Sequence, residues 1–307
     1  MRKITEILSN SDANTVHTLL TARKLPFHRS FDELMCQWDP YKHDVFDESK
    51  RKKKKIKVPT GQKDPMDGSP IYKDEFVDRV RIALPTQKVV VNRLVGFMLT
   101  NPVTYKANSH GVVLKILDNK QQQLYDAIMH CYHDNKMKYF DKKLVRTVSS
   151  QCEAAELWYM TTDEDGRLGG EIRVQLLSPQ NGDKLYPHFN DQHRMDGFGR
   201  EYLVFDELGT SERHFDVYTD RYVYKYINNG SGWVIYEVRA HGFTKIPVVY
   251  YYQYKAEWAD VQWAADRVEV CISNWGDTND YFGTPKYFYT TKSIYYVTLC
   301  YNNQLFI

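Results

Sequence analysis

The spacing of apolar positions changes several times along the 307 residues, and each change predicts a different element. Over residues 3–24, Val16, Leu19 and Leu20 share one face with Ser11 or Asp12 as N-cap, predicting one or two short helices ended by Pro26. A second helix over 31–38 is stopped by Asp39 and Pro40. Residues 77–84 alternate apolar with charged side chains and read as a strand. Pro85 then opens a helix with Val90, Leu94, Phe97 and Met98 on one face, ended by Asn101 and Pro102. Two more helical segments fill 120–151, with Leu124, Ile128, Met129 and Tyr132 in the first and Phe140, Leu144, Val145 and Val148 in the second.

From 154 to 252 the pattern shortens to β-runs: 157–161, 172–177, 184–188, 200–205, 214–218, 222–227 and 233–238, with a further apolar strand at 247–252. Turn chemistry separates them at 163–166, at Asn181-Gly182 and at 228–232, the last a hairpin tip. Beyond it the period lengthens again. Trp258, Val261, Ala265, Val268, Ile272 and Trp275 recur at steps of three and four, the heptad spacing of one apolar seam on a helix. A helix over 259–282 would be roughly 35 Å long at about 1.5 Å per residue. Asp260, Asp266, Arg267, Glu269, Asp277 and Asp280 lie off the seam, so most of its circumference is polar. Such a seam suits a helix packed on its own domain, or one packed against copies of itself around an axis. Helices, then a β-meander, then a long helix make the fold class α+β.

Composition narrows the function classes. The 42% hydrophobic content supports a packed core, and 24 tyrosines suit broad β-surfaces and interfaces where a ring is buried and its hydroxyl stays wet. A formal net charge of +2 lacks the basic excess of a sequence-specific DNA binder and is compatible with a conduit that must not grip phosphates. Cys36, Cys131, Cys152, Cys271 and Cys300 have no metal-ligand spacing and read as free thiols of a reducing compartment. No apolar run is long enough to span a bilayer, so a soluble chain is expected. The basic run Lys50, Arg51, Lys52, Lys53, Lys54, Lys55 and Lys57, followed by Pro and Gly punctuation, reads as part of a mobile linker over 47–75.

Three stretches carry a resemblance: G-F-T-K-I-P-V-V-Y at 242–250 followed by A-D-V-Q-W-A-A-D-R-V-E at 259–269; N-R-L-V-G-F-M-L-T-N-P-V at 92–103; and C-E-A-A-E-L-W-Y at 152–159. In their order along the chain they resemble portal proteins of tailed bacteriophages, of the gp6-like type, although that family usually has Glu at position 262 and Asn at 269. The resemblance implies an N-terminal helical segment over 1–46, the basic linker 47–75, a wing-like α+β domain over 76–252 and a first stem helix within 253–286. It also implies a structural subunit without cofactor or catalysis, in a homo-oligomeric ring, typically a dodecamer, at one capsid vertex of the virion. Double-stranded DNA is packaged and ejected through the axis of such a ring, and terminase, capsid, scaffold and head-completion proteins are its partners. On that reading the six seam residues pack the stem, carboxylates such as Asp266 and Asp277 repel DNA at the lumen, and the basic run touches DNA or capsid. Residues 287–307 have Lys292 as their only charge and read as a β-prone tail, either the entrance to a clip module or a non-native end, with the chain stopping before the clip and crown.

Two other classes stay open from sequence. Asp163, Asp165, His188 and Asp191 could form the ligand set of a metal-dependent nuclease, although Asp163, Glu164 and Asp165 beside Gly166 are more simply a turn, and His188, Asp191 and His193 lie in loop-like sequence. An inactive monomeric portal fragment is the third. No phosphate-binding loop for ATP hydrolysis occurs.

Overall fold

The computed structural model describes residues 3–101, 103, 105–106, 108–109, 112–113, 118–162, 168–207, 209–283, 286–290 and 293–297. In chain order, helices α1 (Ile4–Asn10), α2 (Ala13–Thr21) and α3 (Phe31–Trp38) precede strands β1 (Lys54–Lys63) and β2 (Pro70–Val77), helix α4 (Thr86–Met98) and the short strands β3 (Asn108–Ser109) and β4 (Val112–Val113). Helices α5 (Asn119–Asp134) and α6 (Met137–Gln151) lead into eight strands: β5 (Glu153–Thr162), β6 (Leu168–Leu177), β7 (Lys184–Phe189), β8 (Met195–Phe205), β9 (Ser211–Tyr218), β10 (Tyr222–Asn228), β11 (Trp233–Ala240) and β12 (Val248–Tyr252). Helix α7 (Gln262–Phe282) and a hairpin of β13 (Lys286–Thr290) and β14 (Ser293–Val297) follow. The fold is α+β, and each of the seven runs expected between 157 and 238 lies inside an observed strand.

Two compact units divide the chain: Met1–Leu34 with Val90–Glu257, and Met35–Val89 with Trp258–Ile307. In the first, strands in the order β11-β10-β9-β8-β7 form an antiparallel sheet and β12-β5-β6 form a smaller one. Alternation along the strands sends Phe215, Val217, Tyr226 and Trp233 to one cluster, where α1 and α2 cover them with Ile4, Ile7, Val16 and Leu20. A second cluster joins the two sheets through Ala155, Leu157 and Leu177 on one side and Leu185, Phe198, Tyr218 and Val223 on the other. On α6, Leu144 packs against Ala154 and Leu176. Helix α5 buries no residue, and its expected apolar face is largely exposed at Leu124 and Ile128.

Four expectations need correction. The stretch read as a linker over 47–75 holds most of a paired hairpin, with Lys54 opposite Val77 and Pro59 opposite Tyr72. Lys55 of its first strand pairs with Asp74 of the second. Residues 78–84, most of the stretch read as a strand at 77–84, join no sheet. The buried line of α4 is Gln87, Val91 and Val95, while Phe97 and Met98 stand exposed. Finally, α7 begins at Gln262, because residues 257–261 are spent on turns. At the end of the chain, β13 and β14 pair over 286–297, and residues 298–307 lie outside the described ones.

One carboxylate ties the first unit together. Glu201 on β8 is buried and meets Lys184 of β7 at 3.1 Å, Arg213 of β9 at 2.5 Å and His17 of α2 at 3.3 Å. Burial by itself would raise its pKa, but the hydrogen bonds from His17, Arg213 and Lys184 outweigh burial and hold the carboxyl well below its usual range. A depressed folded pKa means that the stabilisation is present above the unfolded value of about 4.3 and is lost as pH falls through the folded one. Urea titrations of Glu201→Gln should therefore show a clear loss of stability at pH 7, and a gap to the native protein that narrows steadily below about pH 4. A gap independent of pH would rule out this role.

Candidate assembly helix and its basic neighbour

Helix α7 is held in the second unit by its polar face. Gln262, Glu269 and Ser273 are buried, at 8%, 1% and 0% exposure. Residues 80–84 run beside them, and every second backbone N–H donates to the helix: Val80 to Asp277 Oδ1 at 2.7 Å, Ile82 to Ser273 Oγ at 2.9 Å and Leu84 to Glu269 Oε1 at 2.8 Å. The Gln87 side chain continues the series, donating to Gln262 Oε1 at 3.0 Å. Donors on alternate residues are the signature of an extended backbone, which residues 80–84 adopt without joining a sheet. What sequence could not show is that its partner is a row of helix side chains and not another strand.

Two further side chains lock this row. His43 is buried, with Nδ1 at 2.7 Å from Glu269 Oε1 and Nε2 at 2.8 Å from the Gln37 carbonyl. Arg51, at 6% exposure, donates to Asn274 Oδ1 at 2.9 Å, Asp277 Oδ2 at 3.0 Å and the Val80 carbonyl at 3.1 Å. Gly276 makes the approach possible, since a Cβ there would sit 2.7 Å from Val80 Cγ1. Asp266 accepts a hydrogen bond from Gln262 at 2.8 Å, and burial raises its pKa. Asp266 and Asp277 are thus both engaged inside the subunit.

With the polar face turned inward, the apolar seam is left outside. Val261, Val268 and Trp275 are 47%, 46% and 73% exposed, and Ala265 and Ile272 are half-buried. Seam and buried face lie about 100° apart around the helix at 3.6 residues per turn. Trp263, 74% exposed, sits on roughly the opposite flank from the seam by the same geometry. Trp258 departs from the expected seam. It lies in the turn before α7, is 1% exposed, packs against Trp38 in a tilted ring pair with centroids 5.5 Å apart, and donates from Nε1 to Gln37 Oε1 at 2.8 Å.

The basic run is mostly neutralised. Lys50 pairs with Asp44 at 2.6 Å, Lys53 with Asp78 at 3.0 Å, Lys55 with Asp74 across the hairpin at 2.8 Å, and Arg51 with Asp277 as above. Lys54 is exposed and also engaged. Lys52 and Lys57 are exposed and, among the described residues, carry no ion pair.

Of the proposed nuclease ligands, His188 and Asp191 lie among the described residues. Asp163, Glu164 and Asp165 lie outside the described residues. His188 is buried with Nδ1 at 2.5 Å from Asp196 Oδ1 and Nε2 bonded to Arg23, so both ring nitrogens are used within the core. His193 takes a positive φ of 56° in the β7–β8 turn, and no cluster with metal-binding geometry exists among the described residues. No described helix is long and apolar enough to cross a membrane.

The buried row sets a direct test of what fixes α7. Replacing Glu269 with Ala leaves His43 and the Leu84 N–H without their acceptor, and should cost about 3–5 kcal/mol in chemical denaturation, the usual penalty for breaking a buried pair. Val268→Ala, on the exposed seam, should cost under about 0.5 kcal/mol in the isolated subunit. Equal losses at the two positions would contradict the inward polar face.

Among curated proteins, no sequence matches the chain. The family described as phage portal protein, SPP1 Gp6-like, matches residues 39–292, a span that takes in the basic hairpin, both sheets and all of α7. The chain is accordingly a member of the phage portal protein family of the SPP1 Gp6-like type.

Proposed function

We propose that the chain is a structural subunit of a head–tail connector ring at the capsid vertex, through which double-stranded DNA is packaged and ejected. The observation that carries this reading is the orientation of α7. A helix serving only its own domain buries its apolar stripe, whereas α7 buries Gln262, Glu269 and Ser273 and exposes Val261, Val268 and Trp275. An exposed seam of that length is a docking surface. Its residues pack the neighbouring copy, and the Trp263 flank meets the copy on the other side. A heterologous contact of this kind, with different patches on the two flanks, is what a closed ring requires.

The ring works mechanically, without cofactor or bond chemistry. Its energy for DNA translocation comes from a partner ATPase, the terminase, and its other contacts are with capsid, scaffold and head-completion proteins. The near-balanced charge of +2 and the internal pairing of the basic hairpin keep its grip on DNA weak, since each free cation facing a phosphate would add affinity through counterion release.

Val268→Asp and Trp275→Ser should abolish higher oligomers in native mass spectrometry and electron microscopy while leaving the subunit folded by circular dichroism. Rings of unchanged size in both variants would sink the seam as the assembly surface.

A further inference from the structure

A pocket of about 350 Å³ opens in the second unit between the start of the hairpin and α7, lined by Ser49, Lys50, Arg51, Lys52, Arg79 and Asn274 among others, with no carboxylate among its lining residues. The cations around it are unequally served. Lys50 is paired with Asp44, both exposed, and Arg51 is fixed by Asp277, Asn274 and the Val80 carbonyl. Lys52 and Arg79 have no hydrogen bond or ion pair among the described residues. The Nε atoms of Arg51 and Arg79 are both shut off from water without an acceptor. Asn274 gives its Oδ1 to Arg51, which leaves its amide N–H groups as donors. Ser49 Oγ donates to Asp47 at 2.7 Å, outside the set.

An unpaired guanidinium, an unpaired ammonium and a free amide therefore border one open pocket, beside a second, rigidly held guanidinium. Every unsatisfied group is a donor, and two positive charges have no counterpart. Holding Arg79 half-buried beside Arg51 is costly unless an anion bridges them. A planar arginine fork next to a lysine suits a tetrahedral oxyanion better than a single-point anion. The volume is roughly ten times a water's share of about 30 Å³, enough for such a group together with part of what carries it.

We propose that this pocket binds a phosphate group, held by Arg79, Lys52 and the Asn274 amide, with Arg51 as the fixed wall. The site is complete within one subunit and does not depend on ring assembly. Its phosphate is either carried by a duplex backbone or supplied free.

The test compares the native chain with Arg79→Gln and Lys52→Gln, and uses Lys57→Gln, outside the pocket, as control. Thermal-unfolding midpoints are followed against inorganic phosphate at constant ionic strength, and binding of a short DNA duplex is followed by fluorescence anisotropy. Phosphate should raise the midpoint of the native and Lys57→Gln proteins, with affinity weakened about tenfold or more in each pocket variant. A pocket variant that also loses duplex affinity, with a salt slope reduced by about one, identifies a backbone phosphate. Duplex binding unchanged while the phosphate response is lost identifies a free phosphate group. No phosphate response in the native protein, or equal responses in all four, overturns the assignment. Either result for phosphate stands apart from ring formation, which is read separately by native mass.

Discussion

The orientation of α7 follows from a need of the neighbouring backbone. Residues 80–84 join no sheet, and three of their N–H groups would be unsatisfied if nothing met them. Acceptors four residues apart on a helix are spaced about 6.0 Å, and alternate N–H groups on an extended chain about 6.6 Å, so Asp277, Ser273 and Glu269 match Val80, Ile82 and Leu84 in turn. The register admits little slippage, because a shift of one residue along the extended segment turns all of its donors to the opposite side. Gly276 permits the close approach, and His43 and Arg51 add bonds to Glu269 Oε1 and Asp277 Oδ2, while Glu269 Oε2 is buried without a partner. Once this face is committed inward, the apolar seam has no place left in its own subunit.

Much of this was legible as pattern and little of it as partnership. The eight β-runs between 157 and 252 show themselves by alternation and by turn residues, both of which are local properties of the chain. The seam was legible too, but its direction was not, since periodicity places residues on a common face without saying what that face meets. A second periodicity was present: Gln262, Asp266, Glu269, Ser273 and Asp277 repeat at the same steps of three and four as the apolar residues. That polar stripe was the signal for the buried face. By itself such a stripe does not point inward, because polar residues on a helix are ordinarily solvated. Gln262 and Glu269, the two positions where the sequence departs from the usual portal pattern, both belong to it.

The basic hairpin presents the opposite case. Seven cations in eight positions look like a solvated or DNA-binding arm when only the local run is considered. Their acids lie far away in sequence, at Asp74 and Asp78 on or beside the return strand, at Asp277 on α7, and nearby at Asp44. Pairing across a hairpin is a register property, invisible until the turn at 64–69 is fixed. Most of these pairs are exposed and individually weak, so their effect lies in cancelling the field of the run more than in stabilising it. What survives cancellation is local: Lys52 and Arg79 at one pocket, with Lys57 apart from them.

An exposed apolar helix face is a hazard unless its geometry restricts what it meets. On α7 the seam is one side chain wide, and Asp260 and Arg267 lie off it, so a flat hydrophobic surface cannot form. If the seam paired with a copy of itself, assembly would stop at a two-fold dimer. In the proposed ring, the second exposed tryptophan, Trp263, would break that symmetry by offering an apolar contact on the far flank. Trp258, which shares the spacing of the seam, is kept out of it by its hydrogen bond to Gln37 and its contact with Trp38, and this confines the seam to the helix proper. Two unlike flanks on one stiff helix favour propagation from copy to copy over closure in pairs. Closure of such a proposed series would then depend on the angle between successive subunits, to which the locked register of α7 against residues 80–84 contributes a rigid contact surface.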